Sequence, residues 1–149
     1  MPDLDLILAI FHHLAVFTLV GILAAEFALL RPGLAGAKLS RLAGIDRFYG
    51  IMASVVVLVG VLRVFLGAKG WEFYIASPSF WAKMAAFLVV GLLSIQPTMA
   101  LLNWARALKA DPLFTPSRAA LATSRRFLNA EIAILVLIPV FAAAMARGY

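Results

Sequence analysis

The sequence predicts an all-α fold, a four-helix bundle embedded in a membrane, on three observations. Of 149 residues, 64% are hydrophobic and only 13% are charged, where a soluble domain has about 45–50% and about 25%. Four apolar stretches each approach or exceed the roughly 20 residues that cross a bilayer. Lysine and arginine collect in alternate connections between those stretches. Strands are not expected, because an open sheet leaves backbone groups unsatisfied in lipid. The whole chain, residues 1–149, reads as one transmembrane domain.

The first helix is expected over about residues 4–30, with no charge between Asp5 and Glu26. Its start, MPDLDLILAIFHHLA, lacks a positive n-region and a small-residue cleavage site, so it reads as a retained span. The second span is expected over about residues 48–66, broken only by Arg63. The third covers about residues 79–104 and encloses Lys83 and Gln96. Ser77-Pro78 before it and Thr115-Pro116 before the fourth place a capping residue ahead of a proline at the first helical position. The fourth helix, about residues 116–146, is expected to rise through the headgroups and enter the apolar layer near Phe127, enclosing Glu131. Pro97 and Pro139 predict kinks. Gly60, Gly67 and Gly91 would let helices approach closely, and Gln96 is expected to make one interhelical hydrogen bond.

The first connection carries Arg31, Lys38, Arg41 and Arg47, and the third carries Arg106, Lys109, Arg118, Arg125 and Arg126. The positive-inside rule puts both in the cytoplasm and both termini on the outer, periplasmic side. Trp71, Phe73, Tyr74 and Trp81 are expected in an outer aromatic belt and Trp104 in an inner one. The net charge of +6 is explained by these loops and lipid headgroups, so nucleic acid is not an expected partner. The chain has no cysteine, which excludes disulfides, thiolate metal sites and Cys-attached haem. Gly-rich phosphate loops, HExxH and serine elbows are absent from the sequence.

The polar residues inside the spans sort into two layers. His12 and His13, the only histidines, share the outer layer with Arg63 and Lys83. The inner layer holds Glu26, Asp46, Arg125, Asn129 and Glu131. Fourteen residues separate His12 from Glu26, which at about 100° per residue puts them within about 40° of one face. If Glu26 points inward to meet Arg47 or Arg125, so does His12, with His13 flanking it. Ionisable groups in a span are functional candidates: a haem ligand, a metal ligand or a proton relay. As a haem site, His12 would be the axial ligand and Arg63 the propionate partner. The sixth ligand would be Lys83, a methionine such as Met52 or Met84, or none, and two adjacent histidines on one helix cannot grip both faces of one iron. Each residue also has a plainer role. Arg63 and Lys83 can snorkel, a histidine pair near a span end can be interfacial, and Glu131 can pair with Arg125 or Arg126.

Three motifs carry a resemblance. AIFHHLAVFT from Ala9 to Thr18, Phe80-Trp81-Ala82-Lys83-Met84, and Arg126-Phe127-Leu128-Asn129-Ala130-Glu131 resemble the bacterial four-helix membrane protoporphyrinogen oxidase family of HemJ type. The chain resembles still more a sister family of uncharacterised bacterial four-helix membrane proteins. It departs from the HemJ pattern in placing Ala130 between Asn129 and Glu131 and in lacking the proline that follows. The resemblance implies haem b on His12, Trp81 and His13 near the cofactor, and Lys83 as a catalytic residue. It also implies oxidation of a tetrapyrrole, electrons passed to quinone, and residence in a bacterial inner membrane. Glu26, Arg125, Asn129 and Glu131 would then tie the cytoplasmic end together. A different class is a cofactor-free accessory subunit of a larger membrane complex, and a homodimer would give a porphyrin more room. A carrier is weakened by four helices without an inverted repeat.

Overall fold

The computed structural model describes residues 2–149. Among the described residues every regular element is a helix: α1 (Pro2–Leu29), α2 (Gly36–Leu66), α3 (Trp71–Ile75), α4 (Pro78–Ala110), α5 (Arg118–Leu135) and α6 (Leu137–Ala146). Four segments are long and apolar enough to cross a membrane: Asp3–Leu29, Gly36–Leu66, Pro78–Ala110 and Arg118–Ala146. α1 packs on α2, and α4 packs on α2, α5 and α6. The outer faces carry Phe11, Phe17, Leu58, Phe65, Leu88 and Val140, all exposed, as lipid-facing side chains should be.

Several boundaries differ from those the sequence predicts. The second helix begins at Gly36 instead of near residue 48, because residues 36–47 form an amphipathic turn-by-turn continuation of the span. Leu39 and Leu42 are fully buried there, while Lys38, Ser40, Arg41 and Arg47 face outward. The short helix α3 was not anticipated; Gly70 begins it at φ 72°, a left-handed conformation that favours glycine. The third span runs on to Ala110, with Ser77 Oγ accepting from the Phe80 N–H at 3.4 Å, and it continues through Pro97. The cap of the fourth span is Ser117, not Thr115: its Oγ accepts from the Ala120 N–H at 3.1 Å, and Pro116 is buried ahead of the helix. That span divides at Val136, one turn before Pro139, whose missing N–H cannot serve the Leu135 carbonyl. Trp104 is buried, not in an aromatic belt.

The α1–α2 pair sets the position of everything polar. Asp5, His12, Leu19 and Glu26 recur every seven residues on α1, and Asp46, Ala53 and Gly60 do so on α2, an interval that continues to Gly67, the residue capping its end. A Cβ placed on Gly60 would meet His12 Cε1 at 3.3 Å, and one on Gly67 would meet Asp5 Oδ1 at 2.9 Å. Run antiparallel in that register, Leu19 lies opposite Ala53 and Glu26 opposite Asp46. Small residues on α2 therefore receive the larger side chains of α1, the close approach that drives helix association in lipid. Gly91 does not belong to this set, since a Cβ there meets nothing within 4 Å. Both termini lie at one end of the bundle, with Asp5 against Gly67 and the Ser77 hydroxyl donating to the Tyr149 carbonyl at 3.4 Å. The α1–α2 and α4–α5 connections, rich in arginine and lysine, lie at the other. A Gly60→Leu substitution is expected to cost about 1–3 kcal/mol by overpacking the α1–α2 seam. Gly91→Leu should leave stability nearly unchanged, both read from unfolding of the detergent-solubilised protein.

Candidate functional site

At the basic-loop end, four helices deliver polar side chains to the bundle interior. Glu26 of α1 is 3% exposed, Asp46 and Tyr49 of α2 are each 5% exposed, and Glu131 of α5 is 1% exposed. The α2 residues reach the interior because Leu39, Leu42, Asp46, Tyr49, Ala53 and Val56 follow a strict three-then-four spacing, a continuous inward seam. Glu131 shares its face of α5 with Leu121, Ser124 and Leu128, all buried. The Tyr49 hydroxyl donates to Glu131 Oε1 in a short hydrogen bond. The Thr98 hydroxyl of α4 donates to Asp46 Oδ1 at 2.8 Å. Glu26 Oε1 is buried with no hydrogen-bond partner, and the charges of Asp46 and Glu131 both act on Glu26.

Arg125, an expected partner of these acids, is engaged elsewhere. Arg125 Nη1 donates to the Leu30 carbonyl at 2.6 Å and to the Phe27 carbonyl at 3.4 Å, with the guanidinium 4.9 Å from the Phe27 ring centre. α1 has no basic residue in its last turn, so Arg125 supplies from α5 the positive charge that the helix C-terminus favours. The expected pairing of Glu131 with Arg125 or Arg126 is replaced by the Tyr49 bond. Asn129 falls outside the cluster: it is exposed, because two residues' separation turns it far from Glu131 around α5. Gln96 Oε1 is buried without a partner, so the expected interhelical bond is not made. It borders a cleft of about 570 Å³ between α4 and α5, with Asn103, Trp104 and Thr123.

At the opposite end, His12 faces α2 across Gly60, with the Val56 carbonyl beside its ring. His12 Nδ1 and Arg63 Nε are buried without hydrogen-bond partners. Lys83 and Arg63 are close enough to act electrostatically on His12, and Arg63 on Lys83. The structure thus brings His12, Arg63 and Lys83 together from α1, α2 and α4. His13 stays beside His12, ring centres 6.3 Å apart, but it and Trp81 turn to the outer surface. His13 is exposed, with Nδ1 2.6 Å from the Ala9 carbonyl, and exposed Trp81 donates its indole N–H to the Ile75 carbonyl at 3.0 Å.

The chain matches a family model described as predicted membrane protein (DUF2214) over residues 4–149. It belongs to the DUF2214 family. No curated protein and no solved structure matches it, and nothing in these matches ties the DUF2214 protein to HemJ-type oxidases.

Tyr49 and Thr98 are the site residues that inspection of the sequence missed, whereas Asp46 was already placed in the inner layer. The three-then-four spacing from Leu39 to Val56 was the available signal for Tyr49. Thr98 offered none, since its hydroxyl is one of many on a long apolar helix. Replacing Tyr49 with Phe removes the donor to Glu131 and is expected to lower stability by about 1–2 kcal/mol. Thr123→Val, on an exposed face, should cost far less in the same unfolding measurement.

Proposed function

We propose that this chain is a proton-relaying membrane protein whose working group is the buried acid cluster of Glu26, Asp46 and Glu131. One observation carries the proposal: three carboxyl groups from three helices are buried together in a membrane bundle, with no cation among them and Glu26 Oε1 unpartnered. Charge of one sign held away from water is expensive. The cluster therefore needs either protons or a bound cation to balance it. A proton meets that need at a single oxygen, such as the unpartnered Glu26 Oε1. The Tyr49–Glu131 and Thr98–Asp46 hydrogen bonds supply two links along which a proton can be passed. Protons would enter from the basic-loop end, past Arg125. Toward the other end the seam is closed by Leu19 and Leu23, both buried, so net passage requires α1 and α2 to part there.

The test is proton flux into vesicles holding a trapped pH-sensitive dye. Vesicles with the wild-type protein should equilibrate a pH step faster than protein-free vesicles. Glu26→Gln and Glu131→Gln should return the rate to the protein-free value, and the exposed Glu72→Gln should not. A wild-type rate equal to that of empty vesicles would refute the proposal.

A second reading keeps haem on His12, and the unpartnered His12 Nδ1 near Arg63 and Lys83 supports it. The cleft between α4 and α5 is not lined by His12, and this reading places the porphyrin between two copies of the chain. When bound, the group would supply one-electron chemistry; His12 would hold it and Arg63 would pair with a propionate. A Soret band that shifts on reduction and is lost in His12→Ala is the expected result. A colourless protein after haem addition would remove this reading.

A further inference from the structure

At the end of the bundle that carries the termini, positive charge converges without an acid to answer it. Arg63 lies one turn before the end of α2, and Lys83 lies in the second turn of α4. Both are only partly exposed. Arg63 is the charge that acts on Lys83, and these two act on His12 together with His13. Of the acids at this end, Asp5 places its Oδ1 beside Gly67 and next to the Arg63 carbonyl, and Asp3 and Glu72 are exposed. Two cations on different helices repel each other, and a guanidinium N–H withdrawn from water without an acceptor is costly. Arg63 Nε has no acceptor among the described residues. Lys83 Nζ is 5.8 Å from the centre of the Phe80 ring, which leaves its remaining donors unanswered by any carboxylate. The missing component is an anion with several acceptor oxygens.

We infer that Arg63, Lys83 and His12 form a binding site for a phosphate group at this end of the bundle. A guanidinium and an ammonium from separate helices, joined by an imidazole from a third, can grip a phosphate from three directions. Depth points the same way. Residues within one or two turns of a span's end lie near the headgroups, and exposed Trp71 and Trp81 flank this end as interfacial anchors do. The phosphate would belong to an anionic lipid headgroup or to a free phosphate ion. Because α1, α2 and α4 each contribute one group, the bound phosphate ties the three helices together, adding α4 to the His12–Gly60 and Asp5–Gly67 contacts of α1 with α2.

The test is native mass spectrometry of the detergent-purified protein titrated with phosphatidylglycerol, and in parallel with phosphatidylcholine. The wild-type protein should retain phosphatidylglycerol preferentially. Arg63→Gln and Lys83→Gln should each weaken that retention by about five-fold. Arg63→Lys and Lys83→Arg, which keep the charge, should hold most of it and show that the fold is intact. Lys69→Gln, an exposed lysine at the same end, should change little. Competition by inorganic phosphate would identify a free-phosphate site, and its failure to compete would identify the lipid headgroup. Equal retention of the two lipids, or an equal loss with Lys69→Gln, would overturn the inference.

Discussion

The antiparallel register between α1 and α2 is the constraint from which the rest of the bundle follows. In that register each seven-residue step on α1 meets a seven-residue step on α2, so Asp5 and His12 fall on Gly67 and Gly60. Glu26 falls opposite Asp46 at the other end. Fourteen residues separate the two polar regions on both helices, or about 21 Å of helix rise. Lipid offers no hydrophobic drive for helices to associate, so close van der Waals contact between small and large residues must supply it. Glycine at positions 60 and 67 therefore does two things at once. It lets the helices approach, and it locks a register in which two acids meet inside a membrane.

That meeting of acids governs how the other helices join. Thr98 brings α4 to Asp46, and Glu131 brings α5 to Tyr49. Ser124, fully buried one helical face-repeat before Glu131, keeps α5 small where it passes the interior. Arg125 then closes the end of α1 instead of neutralising the acids. A structural ion pair would have used that arginine on Glu26 or Glu131. Its use as a helix cap leaves the carboxyl cluster without that arginine, the imbalance on which the proton-relay proposal rests. The cations at the far end present the complementary situation, a group of donors with no acid.

Much of the fold was legible because composition alone places residues in lipid. The four spans, the alternation of basic loops and the shared inward face of His12 and Glu26 all follow from helical geometry. Other features were hidden for physical reasons. The early start of α2 was obscured because hydropathy averages its charged outer face with the buried Leu39 and Leu42. The Tyr49–Glu131 bond depends on how two helices distant in sequence rotate about their axes, which no spacing within either helix specifies. Asn129 was misplaced because its nearness to Glu131 in sequence is not nearness on a helix. The HemJ-like motifs are short, and Trp81 and His13 within them turn away from the interior, one to the Ile75 carbonyl and one to the Ala9 carbonyl.

Infrared difference spectroscopy of the carboxyl carbonyl stretch, recorded through a pH titration of the membrane-reconstituted protein, tests the central claim most directly. A proton held by the buried cluster predicts a protonated-carboxyl band at neutral pH that disappears as the pH is raised. It also predicts that the band is lost or displaced in Glu26→Gln and in Asp46→Asn, since both share the site. Absence of such a band in the wild-type protein, or a band that both variants leave untouched, would contradict the account.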